Sequence, residues 1–270
     1  MVRPSDATES LHDILYKHAF RDPEGLMRLP EGAIYAVGLA RSKSLEIEDI
    51  VDFAVTNPPF ARRLLGSVNG ANHRGDSWVA KLRLAAVCLG VSECRMLLLQ
   101  HACSRILSTN RPGYNAILRK VFDRSVRAAQ MARAIADHFE IDADTGYFAA
   151  LMQDLGYARC VQTIAEHMRT PPPETALADA IEPVHCIAGA QLVYAWKLPA
   201  ELAEVCLHHE TPGRSQLSQL VHTANKIIAA CDDDKTLDDE LTASLSAFGF
   251  SQDRIAAIIE DASRDLRWAA

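Results

Sequence analysis

Apolar residues recur at helical spacing almost end to end along this 270-residue chain, and proline or glycine stands at most of the places where such helices would have to stop. Leu45, Ile47, Ile50, Val51, Ala54 and Val55 share one helical face, opened by Ser44 as an N-cap and stopped by Asn57-Pro58-Pro59. Phe60 to Val68 reads as a short helix ended by Asn69-Gly70. Ser77 to Leu107 is nearly continuous. It breaks only at Leu89-Gly90-Val91-Ser92, where Gly90 suits a C′ position and Ser92 an N-cap, so a tight helical hairpin is expected. Beyond Arg111-Pro112-Gly113, Val126, Ala129, Ile135, Ala136 and Phe139 line one helix, and Asp144 to Leu155 form another. Thr170-Pro171-Pro172-Pro173 marks a stiff loop, Pro183 the first turn of a helix through Val193, and Leu198-Pro199 the start of one running towards His209. Leu237, Leu241 and Leu245, then Ile255, Ile258, Ile259, Ala262 and Leu266, suggest a final pair. The fold class this predicts is all-α, with roughly fourteen helices and no strand. Thirteen glycines and twelve prolines are too few for a sandwich or barrel of short strands, and no fixed-period repeat points to a solenoid.

Charge narrows the partners. Lys and Arg total 28 against 35 Asp and Glu, a formal charge of −7, with excess acid gathered in Asp232, Asp233, Asp234, Asp238, Asp239 and Glu240. A protein held to phosphates by charge is usually basic, so nucleic acid is disfavoured. No stretch approaches the ~20 apolar residues of a membrane span, and the N-terminus has no apolar signal core, which predicts a cytoplasmic protein with no membrane partner. Cys88, Cys94, Cys103, Cys160, Cys186, Cys206 and Cys231 include no C-x-x-C pair. Buried thiols are expected, rather than disulfides or a thiolate metal site, with Cys88 set in the apolar run Leu84-Ala85-Ala86-Val87-Cys88-Leu89. Arg62, Arg63, Arg74, Lys81 and Arg83 could face an acidic partner, although a solvated helix face is the ordinary reading. There is no Gly-rich phosphate loop, no G-x-S-x-G elbow and no H-E-x-x-H.

The polar residues most out of place lie in the second half. Leu151-Met152-Gln153-Asp154-Leu155-Gly156 embeds a carboxylate in an apolar helix, Glu182-Pro183-Val184-His185 starts another helix, and Leu207-His208-His209-Glu210 ends a third. Imidazoles and a carboxylate converging from three helices are what a divalent-metal site in a helical bundle needs, because each helix offers only one or two inward ligands. Taken singly, each residue also suits a solvated, capping or dipole-facing position.

The order of the pieces resembles the HD-domain superfamily, and specifically its HDOD branch of bacterial signalling proteins. Leu29-Pro30, Ser44-Leu45-Glu46-Ile47-Glu48-Asp49-Ile50, Asn57-Pro58, Arg63-Leu64-Leu65-Gly66-Ser67-Val68-Asn69 and Val87-Cys88-Leu89-Gly90-Val91 followed by Arg95 are similar to the family's helical N-terminal portion. Ala150-Leu151-Met152-Gln153-Asp154-Leu155-Gly156 resembles the segment that carries the His-Asp pair. His185-Cys186-Ile187-Ala188-Gly189, Trp196-Lys197-Leu198-Pro199, His208-His209 and Leu220-Val221-His222-Thr223-Ala224-Asn225 resemble the later blocks. The resemblance spans about residues 25–230. It divides the chain into an N-terminal helical flank (1–24), the module (25–230, with an N-terminal helical subdomain 25–110 and an HD-like subdomain 114–230) and a C-terminal helical extension (232–270). The fold it implies is a multi-helix HD-domain-like bundle.

Metal-dependent HD phosphohydrolases bind ions through a first His, the His-Asp pair, further His residues and a final Asp. At those positions this chain has Arg124, Gln153 before Asp154, then His185, His208 and His209, and finally Asn225; Tyr157 stands where a Lys often follows the pair. A guanidinium has no lone pair and repels a cation, so Arg124 is expected to replace the ion and to pair with Asp154 in a buried salt bridge. Adjacent helical residues point about 100° apart, so one of His208 and His209 should face the site and the other its rim. The resemblance therefore implies a degenerate site with no catalytic residue and no cofactor, Asp154, His185, His208 and His209 being weak metal candidates. It implies a non-catalytic regulatory module that binds a protein partner of a signalling pathway in trans, with flanks that could cap the core or make a homodimer surface. Two alternatives are a metal-dependent phosphohydrolase acting on a nucleotide or cyclic dinucleotide, and a sensor holding a small phosphorylated ligand near Arg124, Asp154, Tyr157 and His185.

Overall fold

The structure is a computed structural model that describes residues 10–20, 31–71, 79–232 and 239–269. The chain is all-α, with no strand among the described residues, and it divides into two compact units. None of the described helices is long and apolar enough to cross a membrane.

The smaller unit, Leu29–Ile106, is built from α2 (Glu31–Ala40), α3 (Ile47–Thr56), α4 (Pro58–Ala71) and α5 (Leu82–Ile106), with the first three packed on α5. The start of α3 differs from expectation. Glu46, not Ser44, is the N-cap, because Glu46 and Asp49 form a reciprocal capping box. Asn57 alone separates α3 from α4. Pro58 and Pro59 occupy the first turn of α4, where a missing N–H costs nothing, and Asn57 Oδ1 accepts from the Phe60 amide. Asn69-Gly70 does not end α4; the Asn69 carboxamide turns inward instead, accepting from Val79 N–H and donating to Val79 C=O, each at 2.9 Å. Gly90 breaks α5 with φ 77°, and Cys94 Sγ lies 3.7 Å from Ala86 C=O, eight residues back. A straight helix would separate them by about 12 Å, so the chain turns a sharp corner through this one residue, with no intervening loop. Cys88 is exposed, as are Leu84 and Val87, because only the Ala85 and Ala86 side of that segment faces the core. The core is an aromatic cluster of Phe53, Phe60 and His101, with ring centroids 5.0 to 5.9 Å apart. Burial, then the charges of Arg63 and Arg105, push His101 down to about 4. In the basic set, Arg63 donates to Gln100 and Arg83 pairs with Glu48, while Arg74 lies outside the described residues.

The larger unit comprises Met1–Arg28 and Leu107–Ala270. Its N-terminal element, α1 (Leu11–Ile14), is capped by Ser10 and runs on as a π turn, Leu15–Ala19. It buries Ile14, Leu15 and Ala19 and packs on α8 (Leu155–His167) and α9 (Glu174–Ile181). Arg111 is the N-cap and Pro112 the first residue of α6 (Pro112–Ile135), so the expected boundary cluster opens this helix, and the division between units falls at Ile106/Leu107. α7 (Ala143–Met152) and α8 are buried nearly all round, which marks them as the centre. Around them lie α6, α10 (His185–Ala195), α11 (Ala200–His208) and α12 (Gln216–Asp232); Pro183 sits in the turn before α10, not inside it. Within the expected extension 232–270, α13 (Asp239–Ala247) and α14 (Gln252–Ala269) pack on α12 and α6 respectively.

Candidate functional site

The expected helix Asp144 to Leu155 is in fact two. Asp154 leaves helical geometry (φ −92°, ψ 19°), so Gln153 and Asp154 form the turn between α7 and α8 and deliver adjacent polar side chains into the interior. Gly156 permits this. A Cβ there would lie 1.8 Å from His185 C=O and 2.4 Å from Gly189 N, so α8 meets the start of α10 backbone to backbone and brings His185 to Asp154. His209 enters as the C-cap residue of α11, and Asn225 comes from α12.

Two arrangements fill this interior. In the first, Gln153 Nε2 donates to Asn225 Oδ1 at 3.0 Å and Asn225 Nδ2 donates to Gln153 Oε1 at 2.6 Å, both residues being buried. Asn225 Nδ2 also donates to His209 C=O. In the second, Asp154 Oδ2 accepts from Ser125 O–H at 3.2 Å and Oδ1 lies 3.3 Å from His209 Nε2. His209 Nε2 is in turn 3.3 Å from His185 Nε2. The other ring nitrogens are committed: His185 Nδ1 is 2.9 Å from Glu182 C=O and His209 Nδ1 is 3.0 Å from Cys206 C=O. A carbonyl can only accept, so both Nδ1 atoms carry protons and both Nε2 atoms face inward.

The electrostatics follow from burial and neighbours. Burial opposes the charge on Asp154, but the hydrogen bond and charge of His209, then Arg124 and His185, hold its carboxyl below the usual range. Burial opposes protonation of His209, yet Asp154 and Glu210 raise it above the ordinary imidazole value. Glu182 is raised by burial and then by the Glu210 carboxylate. The rim of the site is therefore acidic.

Of the residues singled out from sequence, Gln153, Asp154, His185, His209 and Asn225 come together. Tyr157 is half-buried with its ring edge-on to His185, and burial, then the carboxylates around it, raise its phenol above the ordinary value. His208 stands at the rim, 3.5 Å from Thr211 Oγ1, and His209 is the inward member of the pair. Arg124 is the correction. It is exposed and has no hydrogen bond or salt bridge among the described residues, because one residue on a helix is about 100° of rotation, and it is Ser125 that α6 turns towards Asp154. Arg124 acts on Asp154 only through its field. Ser125, Glu182, Cys186 and Glu210 are site neighbours that the sequence reading did not single out; Cys186 and Glu210 each follow directly a residue that it did.

The metal centre of hydrolytic relatives does not fit these side chains. At positions where the resemblance places its ligands, Gln153 and Asn225 are occupied with each other and Arg124 offers no lone pair.

A family model, the HDOD domain, matches residues 26–212. No curated protein matches the chain. Solved structures do. A candidate metal-dependent phosphohydrolase from Shewanella amazonensis SB2B is similar at TM-score 0.62 and 13% identity, covering 94% of this chain and 99% of that one. An HDOD domain protein of unknown function from Geobacter sulfurreducens gives 0.57 and 16% over 89% and 92%. A candidate signal transduction protein from Marinobacter aquaeolei VT8 gives 0.57 and 15% over 95% and 67%. At these identities the likeness speaks to the fold, whereas the family model spans well over half the sequence: the chain belongs to the HDOD domain family.

Proposed function

We propose that this chain is a regulatory module that binds a protein partner and turns over no substrate. The reciprocal carboxamide pair of Gln153 and Asn225 carries that reading. Two positions where the resemblance places metal ligands hold neutral amides that saturate each other, and an ion entering there would have to break two buried hydrogen bonds. The acidic rim of Glu182 and Glu210, with Asp154 behind it, also works against a phosphorylated ligand. Protein binding is supported by apolar side chains left in water on the smaller unit, among them Tyr35 at 60%, Val55 at 66% and Val87 at 56% exposure. A structural neighbour described as a candidate signal transduction protein is in keeping with it.

Two experiments test the two halves. Bis-p-nitrophenyl phosphate and cyclic dinucleotides, incubated with the protein and Mn2+, Fe2+ or Mg2+, should show no turnover; metal-dependent hydrolysis abolished by Asp154→Ala would overturn the non-hydrolytic half. Affinity capture from the native cell should retain a partner that the Tyr35→Glu/Val87→Glu variant loses. A folded variant that retains everything the wild type does would overturn this choice of surface.

A further inference from the structure

The N-terminal segment lies on the larger unit more as a ligand lies on a receptor than as a core element does. Leu11, Ile14, Leu15, His18 and Ala19 fall at i, i+3, i+4, i+7 and i+8, the spacing with which an amphipathic helix seats itself in a groove. Ile14, Leu15 and Ala19 are buried where the segment packs on α8 and α9, while His12, Asp13, Tyr16 and Lys17 stay exposed. At its far end Arg159 Nη2 donates to His18 C=O at 3.2 Å, and the His18 ring lies over that of His167 with centroids 4.1 Å apart. Both of these partners belong to α8. Four α-helical residues followed by a five-residue π turn are too few to hold a helix in water, where roughly 12–15 are needed, so the segment owes its shape to the surface beneath it. The π turn is itself a rare conformation that collects at functional positions.

We propose that the surface of α8 and α9 is a helix-binding groove, that residues 10–20 fill it as an intramolecular plug, and that an amphipathic helix of a partner protein with the same apolar spacing displaces them. This rests on the reading of the chain as a protein-binding module, and adds to it a second surface, carried by the larger unit. The plug defines what the groove takes. It accepts two adjacent aliphatic side chains, Ile14 and Leu15, a small residue at the position of Ala19, and a flat ring over His167. A tethered copy competes at an effective concentration on the order of millimolar, so the groove is available to a partner only to the extent that the plug lifts. Partner binding is thereby coupled to the release of residues 10–20.

Hydrogen exchange on the full chain reads the plug without any substitution. Amides of residues 14–20 should exchange about a hundredfold faster than those of α7, because the segment lifts while the fold stays closed; equal protection would make it part of the global core and overturn the proposal. A fluorescent synthetic peptide of residues 8–22 then stands in for the partner helix. The Ile14→Glu/Leu15→Glu variant of the full chain should free the groove and bind this peptide at least about tenfold more tightly than wild type does. Adding His167→Ala, a change at an exposed side chain, should weaken that binding again. A double variant that keeps a cooperative thermal transition and yet binds no peptide would overturn the groove. A wild-type dimer that the double variant cannot form would assign the groove to the same segment of a second copy, and so overturn the choice of a partner protein. None of these outcomes touches the non-hydrolytic reading, and phosphodiester turnover would overturn that reading while leaving the exchange and peptide results as they stand.

Discussion

Asp154 holds a charge in the interior because His209 answers it directly, while Arg124 contributes only from the surface. Arg124→Ala should therefore leave stability within ~0.5 kcal/mol of wild type in urea unfolding. A loss of several kcal/mol would instead show that the guanidinium reaches inward. Gln153→Leu is a different case. It leaves the Asn225 carboxamide facing carbon, which should cost about 1–3 kcal/mol, and Gln153→Leu/Asn225→Leu should recover part of that, since removing both partners spares the unsatisfied group. A double-mutant cycle reads the difference, and strictly additive losses would refute the pairing. The sequence made five of the eight candidate residues legible as one cluster, because the order of blocks fixes which positions meet. It could not show that Gln153 and Asn225 bond to each other, since they lie 72 residues apart.

Among the elements, boundaries written in local chemistry were readable and those decided by contacts across the fold were not. Gly90 and Pro112 announce breaks through their own backbone limits. The capping box at Glu46 competes successfully with Ser44, and Asn69-Gly70 stays helical because the Asn69 amide gains Val79 as a partner ten residues on. The junction at Gln153-Asp154 was hidden inside an apolar run. Its support is the backbone contact at Gly156, so Gly156→Ala should destabilise the chain by more than about 3 kcal/mol or prevent soluble expression, a methyl 1.8 Å from a carbonyl oxygen having nowhere to go. A Tm near wild type would show that α8 and α10 can separate cheaply. Glu204 makes a gentler test. Its carboxylate accepts from the Arg214 and Ser215 amides just before α12, and these hydrogen bonds hold it below the usual range. A lowered carboxyl stabilises the fold above its unfolded value, near 4.3, and that contribution fades as pH falls through the folded value. Glu204→Ala should lower stability by about 0.5–1 kcal/mol at pH 7, a small figure because the group is largely solvated, and the gap should narrow below about pH 4.

At the scale of the whole molecule, the larger unit takes residues from both sides of the smaller one, so its stability is shared between distant parts of the sequence. The stripe Ile255, Ile258, Ala262 is visible to inspection, but a stripe does not name its partner; in the fold these three side chains are buried, and α14 packs on α6. The contacts are specific. Phe250 packs edge-on against Phe139 with centroids 4.9 Å apart, Arg254 donates to His138 C=O at 2.6 Å, and His138 Nε2 lies 2.9 Å from Asp261 Oδ2. A true appendage could be cut away without loss. Here Ile258 is wholly buried, so Ile258→Ala should cost about 2–5 kcal/mol through lost transfer energy and the cavity left behind. Removal of 239–270 should go further, exposing the α6 and α12 surfaces that α14 and α13 cover. Hydrogen exchange separates the units: amides of α6 and α12 should lose protection in both variants, while α4 and α5 of the smaller unit keep theirs. Unchanged protection in α6 would return the C-terminal helices to the status of an appendage.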